Sequence, residues 1–419
     1  MVPTRAFVLH PDIPNDSVRR SPEGSIAEAV SLAAALPELE VVGAEIIPLR
    51  QPKPGYLFGD GKLSELAERV AAEHIDLVLI DGPVTPVQQR NLEKRLSTKL
   101  LDRTGLILEI FADRARTREG VLQVELAALS YQRTRLVRAW THLERQRGGL
   151  GFVGGPGETQ IEADRRAIDD AIARIRRQLA KVVKTRTLHR AARAKVPFPI
   201  VALVGYTNAG KSTLFNQMTG AKVLAKDMLF ATLDPTMRGV TLPSGQKIIL
   251  SDTVGFISAL PTQLVAAFRA TLEEVLSADL VLHVRDISHP ETEVQADDVH
   301  SILQDLGLDP DVPVVEIWNK TDLLDSEAAD AVANRAARDP AIHAISATTG
   351  EGVANTIDAI STLLAGALNS ETITLPLSDG RRRAWLHEQD VVVSETHKDN
   401  AFEIVVRWAE RQKSEFDTL

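Results

Sequence analysis

The sequence contains no cysteine, no long apolar run and no visible targeting segment. Because there is no thiol, disulfide bonds, thiolate chemistry and cysteine-ligated metals are excluded. No apolar run reaches the roughly 18 residues that a membrane-spanning helix needs, and the first residues lack a secretory cleavage pattern. Internal repeats and low-complexity tracts are absent as well. These absences predict a globular cytoplasmic protein.

With 419 residues the chain is too long for one ordinary hydrophobic core, so several domains are expected. Apolar runs alternate with amphipathic stretches up to about residue 112, which predicts an N-terminal α/β subdomain over residues 1–113 with a largely parallel sheet. The predicted strands are Arg5–His10, Glu40–Leu49, Ile75–Asp81 and Gly105–Phe111. The predicted helices are Ala27–Leu36, Leu63–His74 and Pro86–Leu96.

Strand signals stop at about Thr117, and two stripes of apolar residues at heptad spacing follow. The stripes consist of Leu122, Leu126, Leu129, Leu136, Trp140 and Leu143, and of Ile161, Ile168, Ile172, Ile175, Leu179 and Val182. They predict two long helices that pack as an antiparallel hairpin over residues 114–196. From Arg114 to Lys195 there are 19 Lys and Arg against 8 Asp and Glu, a local charge of +11 in a chain of −9. A basic arm on an otherwise acidic protein is the charge pattern expected for binding a nucleic-acid backbone.

Glycines dominate the segment between the two helices. Gly149, Gly151 and Gly154 match G-x-G-x-x-G, but a dinucleotide site needs a strand before the glycines, and here a long helix precedes them. Phe152 would be an apolar residue exposed on a projecting tip, which is typical of contact with a partner. The tip residues predicted to contact RNA are Arg145, Arg147, Gly149, Gly151, Phe152, Gly154 and Gly155.

A second α/β pattern runs from Pro197 to about Leu368. Its predicted strands are Phe198–Gly205, Met237–Leu242, Gln246–Asp252, Leu280–Val284, Val312–Trp318 and Ala341–Ser346. A tight turn at Leu242–Gly245 joins the one clear hairpin, which predicts a mostly parallel sheet with one antiparallel edge strand over residues 197–369. Residues 370–419 predict a small C-terminal α+β domain, with strands on both sides of a basic helix at Arg381–Gln389.

The segment Gly205–Ser212 reads GYTNAGKS, which fits G-x-x-x-x-G-K-[ST] between a strand and a helix. In such a P-loop, backbone N–H groups and the helix N-terminus surround phosphate oxygens. Lys211 would contact the β- and γ-phosphates, and Ser212 would ligate Mg²⁺. The residues predicted to bind phosphate are Gly205, Asn208, Ala209, Gly210, Lys211, Ser212, Thr213 and Gly255.

Asp252 begins a D-x-x-G motif at the end of a predicted strand, forty residues after Ser212. At that place an aspartate reaches Mg²⁺ through water. Gly255 would donate its N–H to the γ-phosphate and move away after hydrolysis. Switch II is therefore predicted at Asp252, Thr253, Val254, Gly255 and Phe256.

Asn319-Lys320-Thr321-Asp322 follows another predicted strand. Guanine presents two donors, N1–H and the 2-amino group, and the carboxylate of Asp322 accepts from both, which adenine cannot match. Ser346 and Ala347 would close the base pocket through backbone N–H. Asn319, Lys320, Asp322, Ser346 and Ala347 therefore predict a guanine-nucleotide site.

Switch I is predicted between the P-loop and Asp252, at Phe230, Ala231, Thr232, Leu233 and Asp234. By spacing alone, Thr232 and Thr236 both qualify as the threonine that ligates Mg²⁺ when the γ-phosphate is present. Ras-type proteins carry a water-orienting Gln directly after D-x-x-G, but Phe256 stands here, so intrinsic hydrolysis is expected to be slow. Asn208 predicts a K⁺ ion beside the phosphates, with a purely loop-shaping role as the alternative.

Together these motifs resemble the HflX family of ribosome-associated GTPases over nearly the full chain. The segments that carry the resemblance are Gly148–Arg166, Gly205–Asn216, Phe230–Thr236, Asp252–Ile257, Leu260–Glu274 and Asn319–Asp322. The resemblance implies a TRAFAC-class G-domain with Mg²⁺ as cofactor, and it favours Thr232 as the Mg²⁺ ligand. It also implies binding to the 50S subunit and its 23S rRNA, with the hairpin tip directed towards the peptidyl-transferase region. Splitting or rescue of stalled 70S ribosomes under stress is the implied activity, by a monomer when off the ribosome.

Two other functions are compatible with parts of the sequence. A P-loop metabolic enzyme would hold a small substrate in the N-terminal subdomain, but its basic arm would have no task. An RNA-binding assembly factor would use GTP with negligible turnover. Phe58–Lys62, which reads FGDGK, lacks the full P-loop pattern and is interpreted as a turn.

Overall fold

The computed structural model describes residues 3–14, 20–146, 156–193, 198–221, 229–230, 233, 236–258, 274–366, 368–389, 391–398 and 401–417. Among the helices of these residues, none has the length and apolar content that crossing a membrane requires.

The N-terminal part forms a four-stranded parallel sheet with strand order β2-β1-β3-β4. Its strands are β1 (Thr4–Asp12), β2 (Leu39–Pro48), β3 (Leu77–Ile80) and β4 (Lys99–Asp102). The helices between them are α1 (Pro22–Ala34), α2 (Asp60–Ala72) and α3 (Pro86–Leu96). The parallel sheet and the three intervening helices confirm the α/β class expected for this part.

The predicted strand at Gly105–Phe111 is wrong, because this segment lies in a helix, α4 (Arg103–Arg114). The side chain of Asp102 caps the helix by accepting a hydrogen bond from the Gly105 N–H at 2.9 Å. Half of the residues of α4 are buried, including Ile107 and Phe111. Within Gly105–Phe111 only Glu109 interrupts the apolar run, so the sequence of this segment resembles that of a buried strand.

Two long helices follow, α5 (Arg118–Gln146) and α6 (Pro156–Arg193), and they confirm the predicted helical hairpin. Ile172 and Ile175 of the predicted stripe are buried. The hairpin is also fixed to the N-terminal sheet domain, because the Tyr131 hydroxyl on α5 donates to the carboxylate of Asp102 at 2.6 Å. The first half of α5 therefore packs against both α6 and the N-terminal sheet domain.

A six-stranded sheet with order β10-β9-β8-β5-β7-β6 forms the next part. Only β6 runs antiparallel, against β7, which confirms the predicted edge strand. Its strands are β5 (Ile200–Gly205), β6 (Thr236–Thr241), β7 (Lys247–Asp252), β8 (Leu280–Asp286), β9 (Val314–Asn319) and β10 (Ile342–Ala344). Its helices are α7 (Lys211–Thr219), α8 (Thr292–Leu306), α9 (Ser326–Ala336) and α10 (Val353–Gly366), with a 3₁₀ turn at Thr321–Leu323.

The C-terminal part is a three-stranded antiparallel sheet with order β11-β13-β12. Its elements are β11 (Leu368–Pro376), α11 (Gly380–Glu388), β12 (Val392–Lys398), β13 (Ala401–Ala409) and α12 (Glu410–Asp417). Trp408 and Phe416 pack in its core, with ring centroids 5.1 Å apart. The α+β architecture confirms the prediction, although α12 was not expected.

Candidate nucleotide-binding site

The P-loop connects β5, an inner strand of the sheet, to the first turn of α7. Gly205 and Gly210 have φ angles of 148° and 94°, which favour glycine. A side chain at Gly205 would collide with the backbone of β8, and one at Gly210 would collide with the amide of Asn319. Both glycines of the motif are therefore required by close packing against neighbouring strands.

The ammonium group of Lys211 lies inside the loop that precedes it. It donates hydrogen bonds to the carbonyl oxygens of Gly205 at 3.1 Å and Tyr206 at 2.8 Å. Burial lowers the pKa of Lys211 to about 8, while the nearby charge of Asp252 acts in the opposite direction. A desolvated cation held by carbonyl dipoles is suited to binding an anion.

Ser212 and Asp252 come together as the sequence predicts. The Ser212 hydroxyl donates to Asp252 Oδ2 at 2.7 Å, which links α7 to the end of β7. A hydroxyl and a carboxylate are hard oxygen ligands of the kind that Mg²⁺ prefers. The two residues therefore fit a Mg²⁺ ion. Thr213 is half-buried in the same helical turn.

Two further P-loop residues differ in exposure. Ala209 is fully buried, whereas Asn208 is exposed and has a left-handed φ of 59°. Asparagine adopts this conformation more readily than most residues. The loop-shaping role of Asn208 is thus consistent with the structure, and an ion-binding role is compatible with its exposure.

Switch II packs directly on the P-loop. The Phe256 N–H donates to the Gly205 carbonyl at 3.1 Å, and the Thr207 N–H donates to the Phe256 carbonyl at 2.7 Å. Thr253 is fully buried, and its hydroxyl donates to the Leu203 carbonyl at 2.6 Å. Val254 and Phe256 are also buried. The phenyl ring of Phe256 is therefore part of the core.

Switch I is described only in part. Phe230 and Leu233 are buried, and the ring of Phe230 contacts that of Phe111 on α4 edge-to-face, with centroids 4.6 Å apart. Ala231, Thr232 and Asp234 lie outside the described residues. Thr236, the alternative Mg²⁺ ligand, begins β6 and pairs with Asp252. The described part of switch I thus rests on the N-terminal subdomain.

Asn319 joins three segments of the predicted guanine site. Its amide nitrogen donates to the Ala209 carbonyl at 2.8 Å, and its Oδ1 accepts from the Ala347 N–H at 2.9 Å. Lys320 has a left-handed φ of 68° and forms an ion pair with Asp286 at 2.7 Å.

The other two members of that site differ in exposure. Asp322 lies in the 3₁₀ turn with an exposed side chain, whereas Ser346 is fully buried. Asp322 is therefore open to a base.

The hairpin tip lies largely outside the described residues, which include none of Arg147, Gly149, Gly151, Phe152, Gly154 and Gly155. Arg145 belongs to the last turn of α5. In the N-terminal FGDGK segment, Asp60 begins α2. Because α2 begins within it, the segment leads into a helix. Lys62 forms an ion pair with Glu65 at 2.6 Å on this helix.

Sequence reasoning missed one group of residues beside this site. Glu28, Arg103, Tyr206 and Ser258 form a buried polar cluster between α1, α4, the P-loop and the segment after switch II. Glu28 and Ser258 are 230 residues apart in the chain. Their only local signal is a glutamate among the apolar residues of α1, which does not identify its partners.

Four family models match consecutive parts of the chain. They are described as GTP-binding GTPase N-terminal (residues 23–112), GTP-binding GTPase Middle Region (114–193), 50S ribosome-binding GTPase (200–320) and HflX C-terminal domain (331–418). The last match begins in α9 and therefore includes β10, which pairs with β9 in the six-stranded sheet.

Two relatives match nearly the whole chain. GTPase HflX of Magnetococcus marinus is 49% identical over 410 residues, which cover 97% of this chain and 93% of the relative. GTPase HflX of Escherichia coli is 42% identical over 381 residues, which cover 91% and 88%. A GTP-binding protein from Sulfolobus solfataricus, solved in complex with GDP, is a more distant likeness, with 23% identity, coverage of 86% of this chain and 98% of that one, and a TM-score of 0.45.

The matches and the motifs agree on the chemistry. The chain is a P-loop GTPase, its sheet domain belongs to a ribosome-binding group, and GTPases of this kind generally use Mg²⁺. It belongs to the HflX family of GTPases.

Proposed function

We propose that this GTPase acts in the cytoplasm as a monomer that binds the 50S subunit and its 23S rRNA, and splits or rescues stalled 70S ribosomes under stress. GTP hydrolysis then controls its release. The units that carry out these tasks are residues 1–113, the hairpin 114–196, the G-domain 197–369 and the C-terminal domain 370–419.

The observation that carries the proposal is the basic hairpin. Its helix α6 has 38 residues and extends over about 57 Å at 1.5 Å per residue. Arg174, Arg176 and Arg177 are exposed along it and have no carboxylate partner among the residues that the structure describes. Exposed guanidinium groups without a carboxylate partner on a long helix are suited to an RNA phosphate backbone.

The nucleotide site supplies the switch. Ser212, Asp252 through water and Thr232 would hold Mg²⁺, which neutralises charge on the β- and γ-phosphates. Lys211 would contact those phosphates, and Asn319, Asp322 and the Ser346–Ala347 backbone would select guanine. The loss of γ-phosphate contacts on hydrolysis would then loosen both switches and lower the affinity for the ribosome.

The binding test replaces Arg174, Arg176 and Arg177 together with alanine. A matched control replaces three exposed basic residues away from the hairpin, Arg50, Lys94 and Arg338. The hairpin variant is expected to bind purified 50S subunits at least roughly tenfold more weakly and with a shallower salt dependence, since fewer counterions are released. Equal binding by the two triple variants would argue against the hairpin as the RNA contact.

A rate measurement separates this function from the two alternatives. GTP turnover is measured with and without purified 50S subunits. Stimulation by the subunit supports the proposal. A GTP turnover rate that 50S subunits leave unchanged favours a metabolic enzyme. Negligible GTP turnover with intact RNA binding favours an assembly factor.

We also propose that Asn208 helps to hold K⁺ beside the phosphates, which would offset the missing glutamine at Phe256. Turnover is compared in KCl and NaCl at matched ionic strength, and faster turnover in K⁺ is expected. Equal rates would leave Asn208 with the loop-shaping role that its left-handed backbone supports.

A further inference from the structure

Glu28, Arg103, Tyr206 and Ser258, here called the Glu28 cluster, join the N-terminal subdomain to the phosphate side of the G-domain. Glu28 lies on α1, and Arg103 begins α4. Tyr206 is the second residue of the P-loop, and Ser258 follows switch II by two residues. A movement of switch II would therefore act directly on the N-terminal subdomain.

The members of the cluster bind one another closely. The Ser258 N–H donates to the Tyr206 hydroxyl at 2.7 Å, and the Ser258 hydroxyl donates to Glu28 Oε1 at 2.9 Å. Arg103 donates to the Ser258 carbonyl at 3.1 Å and forms an ion pair with Glu28. The Tyr206 hydroxyl also donates to Glu28. Ser258 is thus held by three partners at once.

The charges favour this closed arrangement. Burial raises the pKa of the Glu28 carboxyl, but Arg103 and Arg20 outweigh it and leave the pKa below its ordinary value. Burial and the Glu28 charge raise the pKa of Tyr206. Its hydroxyl therefore stays protonated and donates a hydrogen bond to Glu28. Separating buried charges from their partners is costly, so the cluster resists partial opening.

Gly255 lies close to Lys211 and Thr207 of the P-loop. A Cβ atom built on Gly255 would be 2.9 Å from Lys211 Nζ and 2.8 Å from Thr207 Cα. With a bond of about 1.5 Å, the Cα of Gly255 is within about 4.5 Å of that ammonium. A phosphate oxygen that accepts from Lys211 and from the Gly255 N–H needs about 2.8 Å on each side. A γ-phosphate that makes both contacts would therefore have to fit into the narrow gap between Gly255 and Lys211.

The segment after Gly255 is not free to move away and widen this gap. Phe256 is hydrogen-bonded to the P-loop backbone on both its N–H and its carbonyl, and Ser258 is fixed by the Glu28 cluster. Phe256 and Ile257 are buried in a core that also contains Phe111 of the N-terminal subdomain. A movement of Gly255 away from Lys211 would thus strain the packing of Phe256 and Ile257 against that subdomain.

We propose that the Glu28 cluster keeps the gap between Gly255 and Lys211 narrow, so that GDP binds with the cluster intact while GTP binds only when Ser258 leaves Glu28 and Arg103. Glu28 and Ser258 are then positioning residues that set the preference between diphosphate and triphosphate. The binding of GTP separates switch II from the N-terminal subdomain, from which the helical hairpin projects. This coupling requires the GTPase site but does not depend on ribosome binding.

The experiment measures the affinities of Glu28→Gln and Ser258→Ala for GDP and for a non-hydrolysable GTP analogue, with Mg²⁺ and without ribosomes. Each variant is expected to shift the preference towards the triphosphate by roughly tenfold, a typical coupling between two sites. Glu93→Gln is the matched control, because Glu93 accepts from the Leu100 N–H at 3.2 Å within the N-terminal subdomain and has no contact with the P-loop or switch II among the described residues. Its preference should equal that of the wild type.

Hydrogen exchange supplies a second measurement in the wild-type chain. The Ser258 amide, which donates to Tyr206, should exchange faster with the GTP analogue than with GDP. If Glu28→Gln fails to fold, Ser258→Ala decides the affinity test, since it removes no charge. An unchanged preference in a folded variant, or equal exchange of the Ser258 amide with both nucleotides, would overturn the proposal.

Discussion

The hydroxyl of Ser212 and the carboxylate of Asp252 are joined by a hydrogen bond of 2.7 Å, although the residues lie on different elements, α7 and β7. The contact places a hydroxyl and a carboxylate at the end of the P-loop, next to the ammonium of Lys211. The sequence predicts a Mg²⁺ ion at this place, with Ser212 as a direct ligand and Asp252 acting through water.

Replacing Ser212 with alanine should remove most of the effect of Mg²⁺ on nucleotide affinity. The loss of one charge-assisted ligand is expected to weaken binding of GDP with Mg²⁺ by at least roughly tenfold, with little change in EDTA. Thr219→Ala, at the other end of α7, is the matched control, because among the described residues its hydroxyl bonds the Phe215 carbonyl and the Ala221 N–H and does not contact the P-loop. Calorimetric titration in both conditions checks this. An equal loss in EDTA would mean that Ser212 shapes the loop instead.

The exposed carboxylate of Asp322 should determine which base binds. Asp322→Asn removes an acceptor for one guanine donor and offers an N–H in its place, which matches the 2-oxo group of xanthine. Affinity for GDP is expected to fall by about a hundredfold or more, while xanthosine diphosphate gains affinity. Competition binding measures both, with Asp330→Asn as an exposed control on α9. An unchanged preference for guanine would move base recognition away from Asp322.

The parts of the fold that the sequence predicts well are those with a strong local pattern. The P-loop needs its glycines and lysine at fixed spacing, and the stripes of α5 and α6 repeat over many turns, so both could be found without coordinates. The helix α4 could not, because only Glu109 interrupts the apolar run of Gly105–Phe111, which therefore resembles a buried strand.

Contacts between distant segments were also beyond the sequence. Glu28 and Ser258 are 230 residues apart, and no spacing rule connects them. The role of Phe256 is a mixed case. Its identity predicts that it cannot orient water, but only the structure reveals that its ring is buried and that its backbone is bonded to the P-loop.

Replacing Phe256 with glutamine, the residue that Ras-type proteins carry at this place, should therefore not accelerate GTP hydrolysis. In Phe256→Gln, a polar amide would enter the apolar core, and the lost packing should cost about 3 kcal/mol of stability. We expect a lower thermal midpoint and single-turnover hydrolysis no faster than in the wild type. Phe256→Leu, which keeps an apolar side chain, is the control and should lose less stability. Faster hydrolysis in Phe256→Gln would contradict the buried position of this residue.

Nucleotide affinity should depend on pH above about 8, since burial lowers the pKa of Lys211 to about 8 while Asp252 acts against that shift. Phosphate oxygens favour the charged ammonium. Below this pKa the charge is already present, so affinity stays constant. Above it, binding must add a proton, so affinity should fall by up to about tenfold per pH unit.

Titrations of GDP between pH 7 and 9 check this dependence, and Lys211→Arg is the control. Arginine stays charged throughout this range, so its affinity should be lower at every pH but should not change with pH. A wild-type affinity that remains constant up to pH 9 would mean that Lys211 keeps its proton despite burial. In that case the carbonyl oxygens of Gly205 and Tyr206, which accept its hydrogen bonds, stabilise the ammonium more than burial destabilises it.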